Sequence, residues 1–210
     1  MPAVGYGPGM TVLPRAFAWQ RTDIAGGEFV TLDDRRGLRA KGVTFAADNA
    51  LYTCRYELHA DESWASTRLE VTVEGAGWLR TLRMERAAGR WRVTTSEVGD
   101  LEKVLPTAPL PGIEEPDRLH SVLDLDLYNS PLTNTLPVRR LGLLQAEQGT
   151  KAQVEAAWVL LPSLAVLPLE QSYEVLGPRL VRYRSENFAA DLELTGDGYV
   201  AEYPGLASLA

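Results

Sequence analysis

One cysteine and two histidines are the only thiol and imidazole groups in 210 residues. Cys54 has no partner for an intramolecular disulfide, and the three side chains are too few for a structural zinc site. The usage fits a reducing cytoplasm. No Lys/Arg cluster offsets a formal charge of −7, so the electrostatic footprint of a nucleic-acid binder is missing. No glycine-rich phosphate cradle precedes a helical pattern, which argues against nucleotide chemistry. The longest apolar run, residues 156–169, is broken by Pro162, Ser163 and Pro168 and is too short to span a bilayer. Residues 1–10 lack the basic and apolar regions of a secretory signal. These absences predict no metal, no cofactor, no nucleic-acid partner and no membrane span.

What the chain does have is period-two alternation. Tyr52, Cys54, Tyr56 and Leu58 alternate with Thr53, Arg55, Glu57 and His59, and Leu69, Val71 and Val73 alternate with Arg68, Glu70 and Thr72. The same rule covers Trp78, Leu82 and Met84, then Trp91 and Val93, then Phe188, Ala190, Leu192 and Leu194. Turn signals fall between these runs, among them Gly26-Gly27, Asp48-Asn49, Gly75-Ala76-Gly77 and Gly196-Asp197-Gly198. The pattern predicts an all-β fold: a single-domain, many-stranded antiparallel β-roll or half-open barrel of about 12 to 15 strands with little helix. Residues 152–161, rich in helix formers, are ambiguous. One domain is expected over residues 1–210, since 45% hydrophobic content at this length supports one core. A proline-rich acidic excursion over 97–117 is expected not to continue a ladder. A roll of this many strands encloses more space than its side chains readily fill, so an apolar cavity is a natural expectation.

Charges meet an apolar setting at residues 124–141, DLDLYNSPLTNTLPVRRL. On a strand, Asp124 and Asp126 share a face opposite Leu123, Leu125 and Leu127. Hydroxyl and amide side chains at 130–135 suit a turn, and 136–141 reads as a buried strand interrupted by Arg139 and Arg140. A guanidinium there is costly to bury unless a carboxylate meets it, so Asp124 and Asp126 are expected to form a structural ion pair with the arginines. Catalytic constellations are hard to assemble elsewhere. Alternation sends Cys54 and His59 to opposite faces, and His120, Ser121 and Asp124 lie too close along one strand to form a triad. The five tryptophans, Trp19, Trp64, Trp78, Trp91 and Trp158, are first of all core material on strands, with ligand contact the lesser reading of each.

Several of these stretches carry a family resemblance. The DLDL run from Asp124, SPLTNTLPVRRL from Ser130, Gln171-Ser172-Tyr173 and GYVAEYPG from Gly198 resemble the signatures of a bacterial glycolipid-binding family long catalogued as a domain of unknown function. Gly27-Glu28, Gly42-Val43 and the stretch from Tyr56 to Arg68 also fit, so the resemblance covers nearly the whole chain. It implies a spiral β-roll similar to lipoprotein-carrier folds and a role in binding glycolipid-like molecules, and it brings no catalytic residues. The excursion looks longer than the family pattern.

Three functional readings follow. The leading one is non-enzymatic binding of an amphipathic, glycolipid-like ligand in an apolar β-cavity. Burying acyl methylenes contributes roughly 0.8 kcal/mol each, so about ten could support binding before ordering costs. Polar selection would fall to Arg139 or Arg140 with Asn134, Gln171, Tyr173 and Tyr183. The second is a sugar or lipid-ester hydrolase using Asp124 and Asp126. The third is a structural or interaction protein with a filled core.

Overall fold

A computed structural model describes residues 15–210; the reading of residues 1–10 as lacking a signal lies outside them. Alternation is the local cause of nearly every strand. The chain forms β1 (Arg15–Arg21), β2 (Gly26–Asp33), β3 (Leu38–Ala47), β4 (Leu51–Ala60), β5 (Ser66–Gly75), β6 (Trp78–Ala87) and β7 (Arg90–Gly99), joined by short turns. After the excursion come β8 (Gly112–Ile113) and β9 (Asp124–Leu127), a 3₁₀ turn (Pro131–Asn134) and one short helix, α1 (Thr135–Arg140). The chain ends in β10 (Lys151–Val159), β11 (Ala165–Gly177), β12 (Leu180–Ser185), β13 (Phe188–Leu194), β14 (Val200–Tyr203) and β15 (Ala207–Leu209). In β3 every second residue from Leu38 to Ala46 is buried and those between are exposed. One face therefore holds a core while the other meets water.

The fifteen strands make one all-β sheet. Its order runs β7-β6-β5-β4-β3-β2-β1-β15-β14-β13-β12-β11-β10-β9, with β8 pairing β11. β1 meets β15 in the middle, while β7 and β9 stand at the two ends of the path, so the sheet is open rather than a closed barrel. All pairings are antiparallel except β9 with β10 and β8 with β11. Residues 152–161 resolve as strand: β10 lies between β9 and β11, and its alanines 156 and 157 are fully buried.

Two apolar clusters lie on the inward faces of the strands. The larger joins the inner residues of β1–β7 to Leu101, Leu119, Leu125 and Leu127, and the smaller gathers Val175, Val181, Leu192 and Val200 from the later strands. Residues 131–143 link them. Leu132 and Leu136 pack into the first cluster, Val138 and Leu143 into the second. Here the strand expected over 136–141 is corrected to helix. Leu132 of the 3₁₀ turn and Leu136 of α1 are both fully buried, and Pro137 sits in the first turn of α1, where proline is tolerated.

The excursion is more regular than its prolines suggested. Glu97 to Gly99 complete the β6–β7 ladder, and Gly112–Ile113 add a parallel bridge to β11. Arg80 anchors the rest. It shares the inner face with Trp78, Leu82 and Met84, is fully buried, and reaches Glu97 at 2.9 Å and the carbonyls of Pro109 and Ser163 at 3.0 and 3.1 Å. Its donors satisfy carbonyls that the proline-rich chain cannot pair within a sheet.

Candidate functional site: an aromatic cavity with an acidic floor

A cavity of about 530 Å³ lies where the β1–β2, β3–β4, β12–β13 and β14–β15 turns approach the segment after β9. That volume falls within the roughly 300–1,000 Å³ of small-molecule sites. Its walls are aromatic. Tyr128 and Trp158 form one tilted pair with centroids 5.9 Å apart, and Tyr183, Phe188 and Tyr203 form a cluster with spacings of 6.1 to 6.2 Å. Two depressions of similar size, about 560 and 610 Å³, lie on outer strand faces lined by charged and hydroxyl side chains, with no aromatic wall.

The polar floor is built from strand register. Gln171, Tyr173, Tyr183 and Ser185 are inward residues of β11 and β12, paired Gln171 with Ser185 and Tyr173 with Tyr183. Asp126 pairs in parallel with Trp158, so both project to the same face. The Asp126 carboxylate accepts from Thr133 Oγ1 at 2.8 Å and Gln171 Nε2 at 2.6 Å. Behind it, Tyr173 Oη accepts from Asn134 Nδ2 at 3.0 Å and donates to Gln171 Oε1 at 3.3 Å. Burial pushes the Asp126 carboxyl up to about 6, with Thr133 and Gln171 pulling the other way and the Asp124 charge adding to the rise.

A second acid lies one layer deeper. Glu28 is 5% exposed and accepts from Tyr56 Oη at 2.5 Å and from Ser130 Oγ at 2.6 Å, with Ser130 itself in the cavity wall. Gly42 makes the first contact possible. A Cβ there would lie 2.1 Å from the Tyr56 ring, so only glycine lets the ring lie across β3 and deliver its hydroxyl to β2. Glu28 Oε2 has no hydrogen-bond partner among the described residues. Burial pushes this carboxyl up to about 7, against the hydrogen bonds from Ser130, Tyr56 and the Leu132 backbone N–H and the nearby Arg21 charge.

The residues singled out in the sequence divide between this cavity and its surroundings. Asn134 and Tyr183 line it, while Gln171 and Tyr173 stand behind Asp126 and Asn134 as their partners. Arg139 and Arg140 are not in its walls. The helical geometry of α1 turns them apart. Arg140 grips Asp124 bidentately at 3.1 and 2.5 Å, whereas Arg139 stacks 4.6 Å over the Trp64 ring and reaches Asp34 at 3.4 Å. Asp126 has no arginine partner among the described residues; its oxygens go to Thr133 and Gln171. Of the five tryptophans, Trp158 lines the cavity, while Trp19 and Trp91 spend their indole N–H groups on the carbonyls of Val200 and Val122. Cys54 is fully buried in the larger core, and burial pushes its thiol upward.

Glu28, Tyr56, Ser130 and Arg21 are site residues that sequence reasoning did not single out. The signal for Glu28 was present: it falls in phase with Val30 and Leu32 on the inner face of β2, an acid on an apolar stripe.

Fold and site together define an all-β protein in which one open, mostly antiparallel sheet holds a packed core and carries an aromatic, acid-floored cavity at the turns. Residues 16–208 match the model of the family described as "Putative glycolipid-binding", and the chain belongs to that family. Among solved structures it is similar to the crystal structure of a DUF1089 family protein from Pseudomonas aeruginosa. The two share 23% identity with a TM-score of 0.69 over 99% of each chain, a likeness of fold. No curated protein matches. Among the described residues no helix is long and apolar enough to cross a membrane.

Proposed function

We propose that this protein binds an amphipathic, glycolipid-like molecule without transforming it. The cavity carries the reading: aromatic rings offer apolar faces to a chain or a sugar ring, and Asp126, Ser130 and Asn134 offer hydrogen bonds to a head group at the same place. The inward faces of the strands carry two apolar clusters and the cavity lies at the turns, which supports seating the ligand there. Membership of a family described by glycolipid binding supports the same class of ligand.

The hydrolase reading with two aspartates has less support. Asp124 is held bidentately by Arg140 and is absent from the cavity walls, which leaves Asp126 without that partner for acid–base work.

Titration with dodecyl maltoside below its micelle concentration, followed by intrinsic tryptophan fluorescence and native mass spectrometry, tests the proposal. One detergent per chain with micromolar affinity is expected, and Trp158→Ala with Phe188→Ala, followed by native mass spectrometry, should weaken it about tenfold or more. Absence of any one-to-one amphiphile complex, in delipidated and freshly purified protein alike, would sink the proposal.

A further inference from the structure

The charges around the cavity do not balance. Four acids line it, Asp23, Asp48, Asp126 and Glu186, against one base, Arg21. Arg21 is already committed: its Nε and Nη2 hold both oxygens of Asp23 at 2.7 and 2.6 Å. The cations nearest in sequence to the floor are also engaged elsewhere, Arg139 with Asp34 and Arg140 with Asp124. Asp126 is thus an acid whose hydrogen bonds come from an alcohol and an amide, both neutral donors. Each of its oxygens has lone-pair capacity to spare.

A second observation points the same way. Glu28 lies beneath Ser130, is 5% exposed, and leaves Oε2 without a partner among the described residues. Proteins rarely bury an acid without a cation or a full set of donors. Here two acids flank the Ser130–Thr133 turn, one in the cavity wall and one just behind it. The walls add to the preference, because the faces of Trp158, Tyr128 and Tyr203 carry the negative part of the aromatic quadrupole and attract cations.

Resting on the amphiphile-binding reading, we propose that the head group this cavity takes is cationic: an ammonium-bearing amphiphile, such as a long-chain amine or an amino-sugar lipid, with its nitrogen at Asp126. An ammonium brings three donors and one positive charge. It supplies what the floor lacks, whereas an anionic phosphate or carboxylate head would face a surplus of acids. A neutral sugar satisfies the hydrogen bonds and leaves the charge uncompensated.

The test is a charge series at constant chain length: dodecylamine, dodecyl maltoside and dodecyl phosphate, each below its micelle concentration at pH 7.5. Dissociation constants come from intrinsic tryptophan fluorescence and stoichiometry from native mass spectrometry. The amine is expected to bind about tenfold tighter than the maltoside and the phosphate about tenfold weaker. The amine should displace the maltoside one for one. Asp126→Asn should abolish the advantage of the amine, weakening it about tenfold more than it weakens the maltoside. The wild-type series stands without the variant should that variant fold poorly.

Equal or reversed affinities across the series overturn the cationic head group and leave the amphiphile reading intact. Amine binding that does not compete with the maltoside, a surface attraction to a chain of charge −7, overturns it as well. Failure of all three probes to bind removes the amphiphile reading itself.

Discussion

Asp34 and Asp126 both pack against the segment that follows β9, and they are satisfied in opposite ways. Asp34 accepts from Arg15 at 2.9 Å, from Tyr199 Oη at 2.9 Å and from Arg139 at 3.4 Å, so cations from β1 and α1 converge on one carboxylate. Arg139 is further held over Trp64 and Tyr199. Asp124 repeats the arrangement with Arg140. Asp126 and its deeper neighbour Glu28 have only neutral donors at hydrogen-bond distance. The difference separates two uses of a buried acid. A carboxylate met by guanidinium groups from other elements ties those elements together. A carboxylate left with alcohols and amides at a cavity is free to respond to protons or to a ligand.

Breaking the cation-satisfied side should produce the largest effect. Asp124→Ala strands the Arg140 guanidinium in a mostly buried site and is expected to cost about 3–4 kcal/mol, read as a shift in the urea midpoint at unchanged slope. A loss below about 1 kcal/mol would show that Arg140 reaches water and that the pair does not brace the segment.

The neutral-donor side should instead reveal itself through pH. The Glu28 carboxyl is pushed up to about 7 in the fold, from an ordinary value of 4.5. Between those two values the folded chain holds a proton that the unfolded chain has released, so stability falls as pH rises through this window and is level above it. The drop attributable to Glu28 is about 3 kcal/mol. Asp126 adds a similar decline over a lower window, from its ordinary 3.8 to about 6. Glu28→Gln should flatten the upper part of the curve and raise the melting temperature at pH 8 relative to pH 5. An unchanged slope in this variant would place the titration elsewhere.

The smallest change refines the contrast. Tyr173→Phe removes the hydroxyl that joins Asn134 to Gln171, at a cost of about 1 kcal/mol of stability. Because Gln171 also orients Asp126, the same substitution should weaken dodecyl maltoside a few-fold. Binding that stays constant while stability falls would make the Tyr173 link purely structural.

Most of the fold was legible because alternation reports a half-buried strand directly, as β4 and β5 show. It misled at 136–141, where Leu-Pro-Val fits a strand or the opening of a helix equally well and only the two cores on either side decide. The alanines of β10 blurred a strand for the same reason: small residues fit a sheet covered on both faces and also suit a helix. In the site, Asp126, Asn134, Gln171 and Tyr183 stood out because they lie in one polar run or one aromatic strand. Glu28 and Tyr56 meet only through register across β2, β3 and β4, with Gly42 between them, and no local pattern encodes that meeting. Arg80 was legible in principle, in phase with three large apolar residues, yet its partners on the excursion are set by tertiary contact.

The joint between β1 and β15 has a kinetic meaning. Pairings from β1 through β7 and from β10 through β15 link consecutive strands, hairpin after hairpin, so each can form early from nearby chain. The joint pairs Trp19 with Leu209, positions 190 residues apart (209 − 19), through three residue pairs in all. Closing so large a loop costs entropy that three pairs alone do not recover, so this seam is expected to form late, between two halves already zipped. The cavity draws Arg21 and Asp23 from one side of the seam and Tyr203 and Leu206 from the other. A ligand seated there bridges the seam, and its binding should be felt as a slower rate of unfolding.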